Sequence, residues 1–147
     1  MEIMKATAKD LDAAYKLMCE LEEEELPFEA FRKAYLLNLD NPDKEYFIAA
    51  VEGIAIGFLS LAVDYRLFCA DRIVTIDELV VAKEHRSVGI GKELLSAADE
   101  YAKDKGCSFF CVTSATRRER AHKFYENNGY EKSGYRFGKA IDIGCKP

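Results

Sequence analysis

The stretch that most constrains the fold of this chain is YFIAAVEGIAIGFLSLAVDY, residues 46–65. It is mostly apolar, contains many aromatic and β-branched residues, and is interrupted near its middle by Glu52 and Gly53. This pattern predicts two strands joined by a tight turn, a β-hairpin with glycine at the turn. A third strand is predicted from RIVTIDELVV, residues 72–81. The chain must therefore build a sheet with antiparallel strands, and its helices must pack on that sheet.

The remaining segments alternate between helical and extended patterns. In chain order they predict a strand at residues 3–6, a helix after Asp10, a helix after Pro27, a long helix from Ile90 to Gly106, a buried central strand at 107–114, a helix at 117–129 and a terminal strand at 135–144. This order predicts an α/β chain with a mixed sheet and helices on both faces. Its length of 147 residues fits a single domain, residues 1–147.

Composition narrows the class of protein. The net charge of −5 argues against a nucleic-acid binder, which usually presents a basic surface. The five cysteines are odd in number and widely spread, and no apolar signal segment precedes the first strand, so we expect reduced thiols in a cytoplasmic protein. With only two histidines we expect no metal site. No apolar run reaches the roughly 18 residues of a membrane span.

The segment HRSVGIGKELL runs from a glycine turn into an amphipathic helix. Such a turn is a place where backbone N–H groups hold phosphate. A dinucleotide fingerprint is disfavoured because its third glycine would stand at Leu94. A nucleoside-triphosphate loop is disfavoured because Arg86 replaces its first glycine and Glu93 its Ser or Thr. What remains is Arg86-x-x-Gly89-x-Gly91, which suits a pyrophosphate.

This motif resembles the signature of the GNAT superfamily of acetyl-CoA-dependent N-acetyltransferases, Arg/Gln-x-x-Gly-x-Gly/Ala after the fourth strand. A second resemblance is AHKFYENNGY at residues 121–130, which begins about 30 residues after the first motif. The predicted element order is similar to that of the family over essentially the whole chain. The resemblance implies the acyl-CoA N-acyltransferase fold, acetyl-CoA as co-substrate and transfer of acetyl to an amine.

The same resemblance implies where the co-substrate binds. Backbone groups at the end of the predicted strand 72–81 would face acetyl-CoA, and the glycine turn would hold its pyrophosphate. The residues expected to bind acetyl-CoA are Leu79, Val80, Val81, Arg86, Ser87, Val88, Gly89, Ile90, Gly91 and Lys92.

Acetylation of an amine requires a proton acceptor, because an amine with a pKa near 10.4 is mostly ammonium at neutral pH. Asp77 and Glu78 lie just before the turn, and strand alternation would point them to opposite faces. The resemblance selects Glu78 as the base, with Asp77 in reserve. It also implies that the Val80 N–H stabilises the oxyanion and that Tyr125 protonates the departing thiolate.

The sequence leaves the acceptor open. Residues 76–141 resemble the aminoalkylphosphonate branch of the superfamily, which implies a small amine with an anionic group held by Arg66, Arg117 or Arg136. The four acidic residues 22–25 instead favour polyamines or lysine-bearing peptides. A non-catalytic acyl-CoA-binding sensor and a nucleotide-binding protein are the alternatives from other classes. A homodimer is the usual habit of the family, and the terminal strand offers a pairing surface.

Overall fold

The computed structural model of the chain describes residues 1–144. They form two compact units, Met1–Val112 and a second that begins at Thr113. The elements of the first unit are β1 (Glu2–Lys5), α1 (Leu11–Glu22), α2 (Phe28–Leu39), β2 (Lys44–Val51), β3 (Ile54–Arg66), β4 (Asp71–Val81), α3 (Ile90–Asp104) and β5 (Phe109–Val112). The second unit contains α4 (Glu119–Asn127). The predicted mixed α/β class is confirmed.

Five strands form one sheet in the order β1-β2-β3-β4-β5. The pairs from β1 to β4 are antiparallel, and β5 runs parallel to β4. The predicted hairpin turn joins β2 to β3, and its residues Glu52 and Gly53 have φ values of 50° and 79°, in the left-handed region. The segment β4-α3-β5 is a parallel crossover, so the cofactor turn lies at the carboxyl end of β4.

One face of the sheet is covered by α1 and α2. Their apolar residues pack with those of the sheet in one buried cluster that includes Met18, Tyr35, Ile48 and Phe58. Both helices are amphipathic, as their residue spacing predicts, and burial of this apolar face is what holds such helices on a sheet. The pocket described below opens between these helices and the sheet.

The opposite face is covered by α3, whose buried residues recur at the helical spacing that predicted it: Ile90, Leu94, Leu95, Ala98, Tyr101 and Ala102. Gly57 of β3 allows the close approach of this helix, because a Cβ there would lie 3.1 Å from Leu94 Cδ1 and 3.2 Å from Ala49 Cβ. The helix ends before Gly106, whose φ is +67°. This packing fixes the start of α3 beside the end of β4.

Residues 107–114 were expected to form a buried central strand, and this prediction is wrong in two respects. The strand is only Phe109–Val112, and in the described sheet it lies at the edge, with Phe109 57% exposed. An apolar run indicates that both faces of a strand are covered. It does not indicate whether a further strand pairs with it on each side.

The second unit departs from expectation at its end. Helix α4 stops near Asn128 and Gly129 as predicted, with Gly129 at φ +88°. The terminal strand expected at 135–144 is absent, and residues 131–144 are exposed and carry no helix or strand. Alternating apolar residues form a strand only when another strand pairs with their backbone, and no strand exists within residues 113–144.

No helix among residues 1–144 combines the length and the hydropathy needed to cross a membrane.

Candidate active site

Asp77 and Glu78, the two adjacent carboxylates of β4, lie at a β-bulge. Ser60 pairs with Glu78 while the next residue, Leu61, pairs with Ile76, so Asp77 is the extra residue. A bulge interrupts the regular alternation of side chains, and Asp77 and Glu78 both line one pocket. The expectation that they point to opposite faces is therefore wrong, because strict alternation holds only in an unbulged strand.

Ser60 fixes the conformation of Glu78 from the neighbouring strand. Ser60 is 1% exposed, and its hydroxyl donates a hydrogen bond to Glu78 Oε2. The hydroxyl oxygen of Ser60 in turn accepts a hydrogen bond of 3.1 Å from the backbone N–H of Glu78. A serine hydroxyl can donate and accept at once, so one side chain holds both the carboxylate and the backbone of the bulge.

The environment of Glu78 makes it a stronger base than an ordinary carboxylate. Burial raises its pKa, and the negative charges of Asp77 and Glu22 act in the same direction. The hydrogen bond from Ser60 and the positive charge of Lys44 oppose the rise, but the net direction is upward. Desolvation disfavours the charged form of a carboxyl group, and a raised pKa is typical of a catalytic acid or base.

The pocket around this carboxylate has a volume of about 220 Å³. Four aromatic rings form much of its wall, with successive centroids 6.0, 5.2 and 5.2 Å apart: Phe31, Tyr35, Tyr46 and Phe58. Asn38 donates a hydrogen bond of 2.7 Å to the Tyr46 hydroxyl. Pockets for drug-sized ligands span roughly 300–1,000 Å³, so this one suits a smaller molecule.

Lys44, the first residue of β2, places its ammonium group in the same pocket. Its Nζ lies 3.4 Å from Asp77 Oδ2, and the two side chains are 28% and 34% exposed. The strand begins at a fixed turn, because the Lys44 N–H donates to Asn41 O and the Asp43 N–H donates to Asn41 Oδ1. The pocket therefore contains two carboxylates and one cation.

The carboxyl end of β4 extends beyond its parallel neighbour. β5 pairs only with residues 73–76, whereas β4 continues to Val81. Within residues 1–144, no strand pairs with the backbone of residues 77–81 on the side where β5 would continue. Backbone groups at such an edge can bind an extended ligand in the manner of an added strand.

The direction of these N–H groups follows from the register. The Ala82 N–H donates to Ile56 O of the β3 side at 2.8 Å, and in an antiparallel ladder alternate residues face the same neighbour. The Val80 N–H therefore also faces β3, and the N–H groups of Leu79 and Val81 face the unpaired edge. The oxyanion role that the resemblance gave to Val80 thus does not fit the register.

The glycine turn presents backbone donors around an open space. Ser87 and Gly89 have φ values of 65° and 93°, both in the left-handed region, and within residues 1–144 no atom beyond its chain neighbours lies within 4 Å of where a Gly89 Cβ would be. Because α3 begins at Ile90, the N–H groups of its first turn, including that of Gly91, have no acceptor within the helix. The turn therefore fits an anion such as pyrophosphate.

Arg86 was expected to contact the pyrophosphate, but its side chain folds back onto the protein. Its Nε donates to Val81 O at 2.9 Å, and its Nη2 lies 3.3 Å from Glu20 Oε1. The same Glu20 oxygen accepts a hydrogen bond of 2.7 Å from the Lys83 N–H. In this arrangement Arg86 joins the end of β4 to α1, and so orients the turn that follows it.

Tyr125 belongs to the second unit. Its ring packs on Phe124 and Tyr130, with centroids 5.4 and 5.5 Å away. Burial, with a smaller contribution from Tyr130, raises its pKa to about 12. On the same helix His122 Nε2 lies 2.8 Å from Ala115 O, a contact that fits a structural role for this histidine.

The predicted acceptor-binding residues lie elsewhere. Arg66 pairs with Asp64 at 2.8 Å at the C-terminal end of β3, and Arg117 and Arg136 belong to the second unit. Of the acidic run 22–25, only the first residue contributes to the pKa of Glu78, and the other three are exposed.

Sequence reasoning missed three residues of this site: Lys44, Tyr46 and Ser60. Ser60 left a signal, since it is a polar residue within the apolar run FLSLAV. Lys44 and Tyr46 left none, because alternating residues at the start of a strand are common and only the register places them beside the carboxylates.

The chain is similar to known N-acetyltransferases over most of its length. The profile of the acetyltransferase (GNAT) family matches residues 11–130. The chain is 38% identical over 140 residues to the aminoalkylphosphonate N-acetyltransferase of Salmonella typhimurium, covering 95% of this chain and 91% of that protein. It is 35% identical over 104 residues to YhfO, an uncharacterised N-acetyltransferase of Bacillus subtilis, covering 71% and 68% of the two chains.

Among solved structures, the aminoglycoside N-acetyltransferase AAC(6')-Iy in complex with CoA has a TM-score of 0.85 and 22% identity, covering 95% of this chain and 93% of that one. The fold and the site define an acetyl-CoA-dependent N-acetyltransferase. The chain belongs to the GNAT family, and its co-substrate is accordingly acetyl-CoA.

Proposed function

We propose that this enzyme transfers the acetyl group of acetyl-CoA to the primary amine of a small molecule that also carries an anionic group, such as an aminoalkylphosphonate. The amine attacks directly, with Glu78 as the base. The kind of acceptor is supported by the name of the Salmonella relative and by the modest volume of the pocket.

The observation that carries the proposal is the setting of Glu78. This carboxylate is partly buried at a bulge, is oriented by Ser60, and lines a pocket closed on one side by aromatic rings. Desolvation raises its pKa, which improves a base that must accept a proton from an ammonium group. An ammonium ion entering the pocket would meet two carboxylates and aromatic faces, both of which attract cations.

The acyl donor would lie along β4 and the turn. Acetyl-CoA supplies the thioester carbonyl that the amine attacks. The N–H groups of Leu79 and Val81 would bind the donor at the unpaired edge of β4, with one of them directed at the carbonyl oxygen. The backbone of residues 86–92, from Arg86 through Ser87, Val88, Gly89, Ile90 and Gly91 to Lys92, would hold the pyrophosphate.

Tyr125 would donate a hydrogen bond to the departing thiolate sulfur. Its pKa of about 12 keeps the phenol protonated at physiological pH. Because a thiol has a pKa near 8.5, complete proton transfer from this phenol would be uphill. Its contribution is therefore an oriented hydrogen bond, and solvent can supply the proton.

We further infer that residues 1–147 act as one N-acetyltransferase domain, since the family profile spans parts of both units. A cytoplasmic location is supported by the cysteines, because Cys19, Cys69, Cys107 and Cys111 are free and reducing compartments keep thiols free. A homodimer is proposed from the exposed apolar residues of the C-terminal segment, Tyr135, Phe137, Ile141 and Ile143.

The test is release of CoA thiol from acetyl-CoA with a panel of acceptors: 2-aminoethylphosphonate, spermidine, a lysine-bearing peptide and propylamine. We expect the highest kcat/KM with 2-aminoethylphosphonate. If CoA binds but no amine is acetylated, and Glu78→Gln does not change the release of CoA thiol, the protein would instead be a sensor module. Preferential binding of ATP or NAD would identify a nucleotide-binding protein.

A further inference from the structure

The cation that lines the acceptor pocket is a lysine on β2, and none of the three arginines suggested by the sequence lies among the lining residues. This placement rests on strand register. Lys44 pairs with Ala62, and Tyr46 pairs with Ser60, which in turn pairs with Glu78. Lys44 and Glu78 therefore lie on one sheet face, offset by roughly 7 Å along the strands and by two strand spacings, roughly 10 Å, across them. The Lys44 side chain spans much of this offset, because its Nζ lies 3.4 Å from Oδ2 of Asp77, the neighbour of Glu78. A cation and the proposed base in one small pocket suit a short molecule with opposite charges at its two ends.

We propose that Lys44 binds the anionic group of the acceptor, a phosphonate or a carboxylate, and so determines the specificity of the enzyme. The inference rests on the proposed function, because it requires the amine of the same molecule to lie at Glu78. Lys44 does not touch the reacting atoms and acts by positioning the acceptor.

The ion pair between Lys44 and Asp77 leaves the ammonium group able to bind a further anion. Its separation of 3.4 Å exceeds the 2.7–2.9 Å of a strong charge-assisted hydrogen bond. An ammonium group has three N–H donors, and the contact with Asp77 uses one of them. An acceptor with an anionic group can therefore add to this pair or replace it.

The chain offers a matched control for this lysine. Lys5 of β1 pairs with Glu45, the residue after Lys44, at 2.7 Å. It is a lysine–carboxylate pair on the same sheet, but neither partner lines the pocket. Loss of Lys5 should reproduce any general effect of removing a lysine from this region and leave acceptor choice unchanged.

The experiment compares kcat/KM for three acceptors of similar length: 2-aminoethylphosphonate, β-alanine and propylamine. It uses the full chain and the variants Lys44→Met, Lys44→Arg and Lys5→Met. A hydrogen bond to a charged group contributes about 1.5–3 kcal/mol, which corresponds to roughly 10–150-fold in kcat/KM. We expect Lys44→Met to lose about this factor for the anionic acceptors relative to propylamine, mainly through KM, and Lys44→Arg to restore most of it.

The comparison of acceptors separates specificity from damage to the base. Removing Lys44 also removes a positive charge that lowers the pKa of Glu78, and this effect is common to all three amines. Equal losses for the three acceptors, or no loss for the anionic ones, would overturn the assignment of Lys44. The ratio of β-alanine to 2-aminoethylphosphonate activity distinguishes a carboxylate site from a phosphonate site.

A second measurement separates this proposal from the proposed function. If the wild-type enzyme acetylates none of the three amines, the proposed function fails. Binding of 2-aminoethylphosphonate, measured by calorimetry in the presence of CoA, then still tests Lys44. Binding that weakens by at least tenfold in Lys44→Met but not in Lys5→Met supports the site, and equal binding in all variants overturns it.

Discussion

The acceptor pocket and the cofactor turn adjoin along β4, but they are built from different parts of the polypeptide. The pocket is made of side chains from several elements, including Glu78 of β4 and Lys44 of β2, and Ser60 of the strand between them holds Glu78 in place. The turn is made almost entirely of backbone, with Gly89 and the first N–H groups of α3 around an open space. In the proposed function, the acyl donor is thus bound by backbone groups that every residue has, and the acceptor by side chains specific to this chain.

This difference explains why members of one family can share a donor and differ in acceptor. A backbone site tolerates substitution wherever the required φ values are kept. A side-chain site changes with single residues, and small changes at a buried polar group have large effects. We therefore expect substitutions in the pocket to change base strength and acceptor choice, and substitutions in the turn to change the KM for acetyl-CoA.

The largest effect should come from Glu78→Gln. The amide keeps an oxygen for the Ser60 hydroxyl but cannot accept the proton of the amine. General-base catalysis typically contributes 10²–10⁴-fold, so we expect kcat/KM to fall by about that factor. The measurement is CoA release under saturating acetyl-CoA, and the KM for acetyl-CoA should stay within about threefold of the wild type.

Asp77→Asn is the control for this substitution, because Asp77 lines the same pocket at the same bulge. Its loss should lower kcat/KM with propylamine by less than about tenfold. A larger loss in Asp77→Asn than in Glu78→Gln would make Asp77 the base.

The stability of Glu78→Gln provides a check on folding. Because the pKa of Glu78 is raised in the folded state, its contribution to stability is present below the unfolded-state pKa and lost as pH rises through the folded-state pKa. Glutamine does not ionise, so the variant does not lose this contribution to stability as pH rises. The melting temperature of the variant should therefore exceed that of the wild type at pH 8, and the difference should narrow toward pH 4.

The second prediction tests the backbone site. Gly89→Ala places a Cβ on a residue with φ +93°, where nothing lies within 4 Å, so the effect comes from backbone strain of about 1–2 kcal/mol. We expect the KM for acetyl-CoA to rise roughly tenfold, because that strain corresponds to about 5–30-fold in an equilibrium constant.

Gly53→Ala provides the matched control. Gly53 also has a positive φ, +79°, with nothing within 4 Å of a Cβ, but it lies in the β2–β3 hairpin. Both variants should lose similar stability in urea unfolding, and only Gly89→Ala should change the KM for acetyl-CoA. A similar change in both variants would show that the turn acts through stability alone.

The contrast between a turn built of local backbone and a pocket built across strands also determines what could be predicted from the sequence. The turn was predictable, since glycine spacing and the amphipathic pattern of α3 are local. The hairpin and the six buried residues of α3 also follow from local periodicity, whereas the order of the strands within the sheet does not. The partners of Glu78 were not predictable, because Ser60 and Lys44 reach it only through the pairing of three strands.

The β-bulge at Asp77 was equally hidden, because β4 buries apolar residues on both faces and such a strand shows little alternation whose interruption could indicate an extra residue. In the C-terminal segment the pattern instead predicted an element that is absent. Its alternation from Tyr135 to Ile143 predicted a strand, but alternation alone supplies no pairing partner. Local patterns therefore predicted the elements, and strand pairing determined the site.

The third prediction isolates the hydrogen bond that opposes the effect of burial on Glu78. Ser60 lowers the pKa of that carboxyl, so Ser60→Ala should raise it further. Since the base must be ionised to act, the acidic limb of the kcat/KM profile should move to higher pH while the rate well above the limb changes little. The measurement is kcat/KM for propylamine from pH 5 to pH 10.

Ser108→Ala is the control for Ser60→Ala. Ser108 also donates to a carboxylate, Asp71 Oδ2, at 2.5 Å, and lowers the pKa of Asp71, but neither residue lines the pocket. The acidic limb of the kcat/KM profile of Ser108→Ala should coincide with that of the wild type. An unmoved limb in Ser60→Ala would mean that the limb reports a group other than Glu78.

The smallest effect should come from Tyr125→Phe. With a pKa of about 12, the phenol stays protonated to the end of any practical assay, and it is too weak an acid to transfer its proton readily to a thiolate whose conjugate acid has a pKa near 8.5. Loss of one hydrogen bond contributes about 0.5–1.5 kcal/mol, so kcat should fall by less than roughly tenfold. The basic limb of the kcat profile should also keep its position, because Tyr125 does not titrate there. A loss above a hundredfold, or disappearance of that limb, would make Tyr125 a true general acid, and a side chain of the second unit would then contribute as much to the chemistry as the base does.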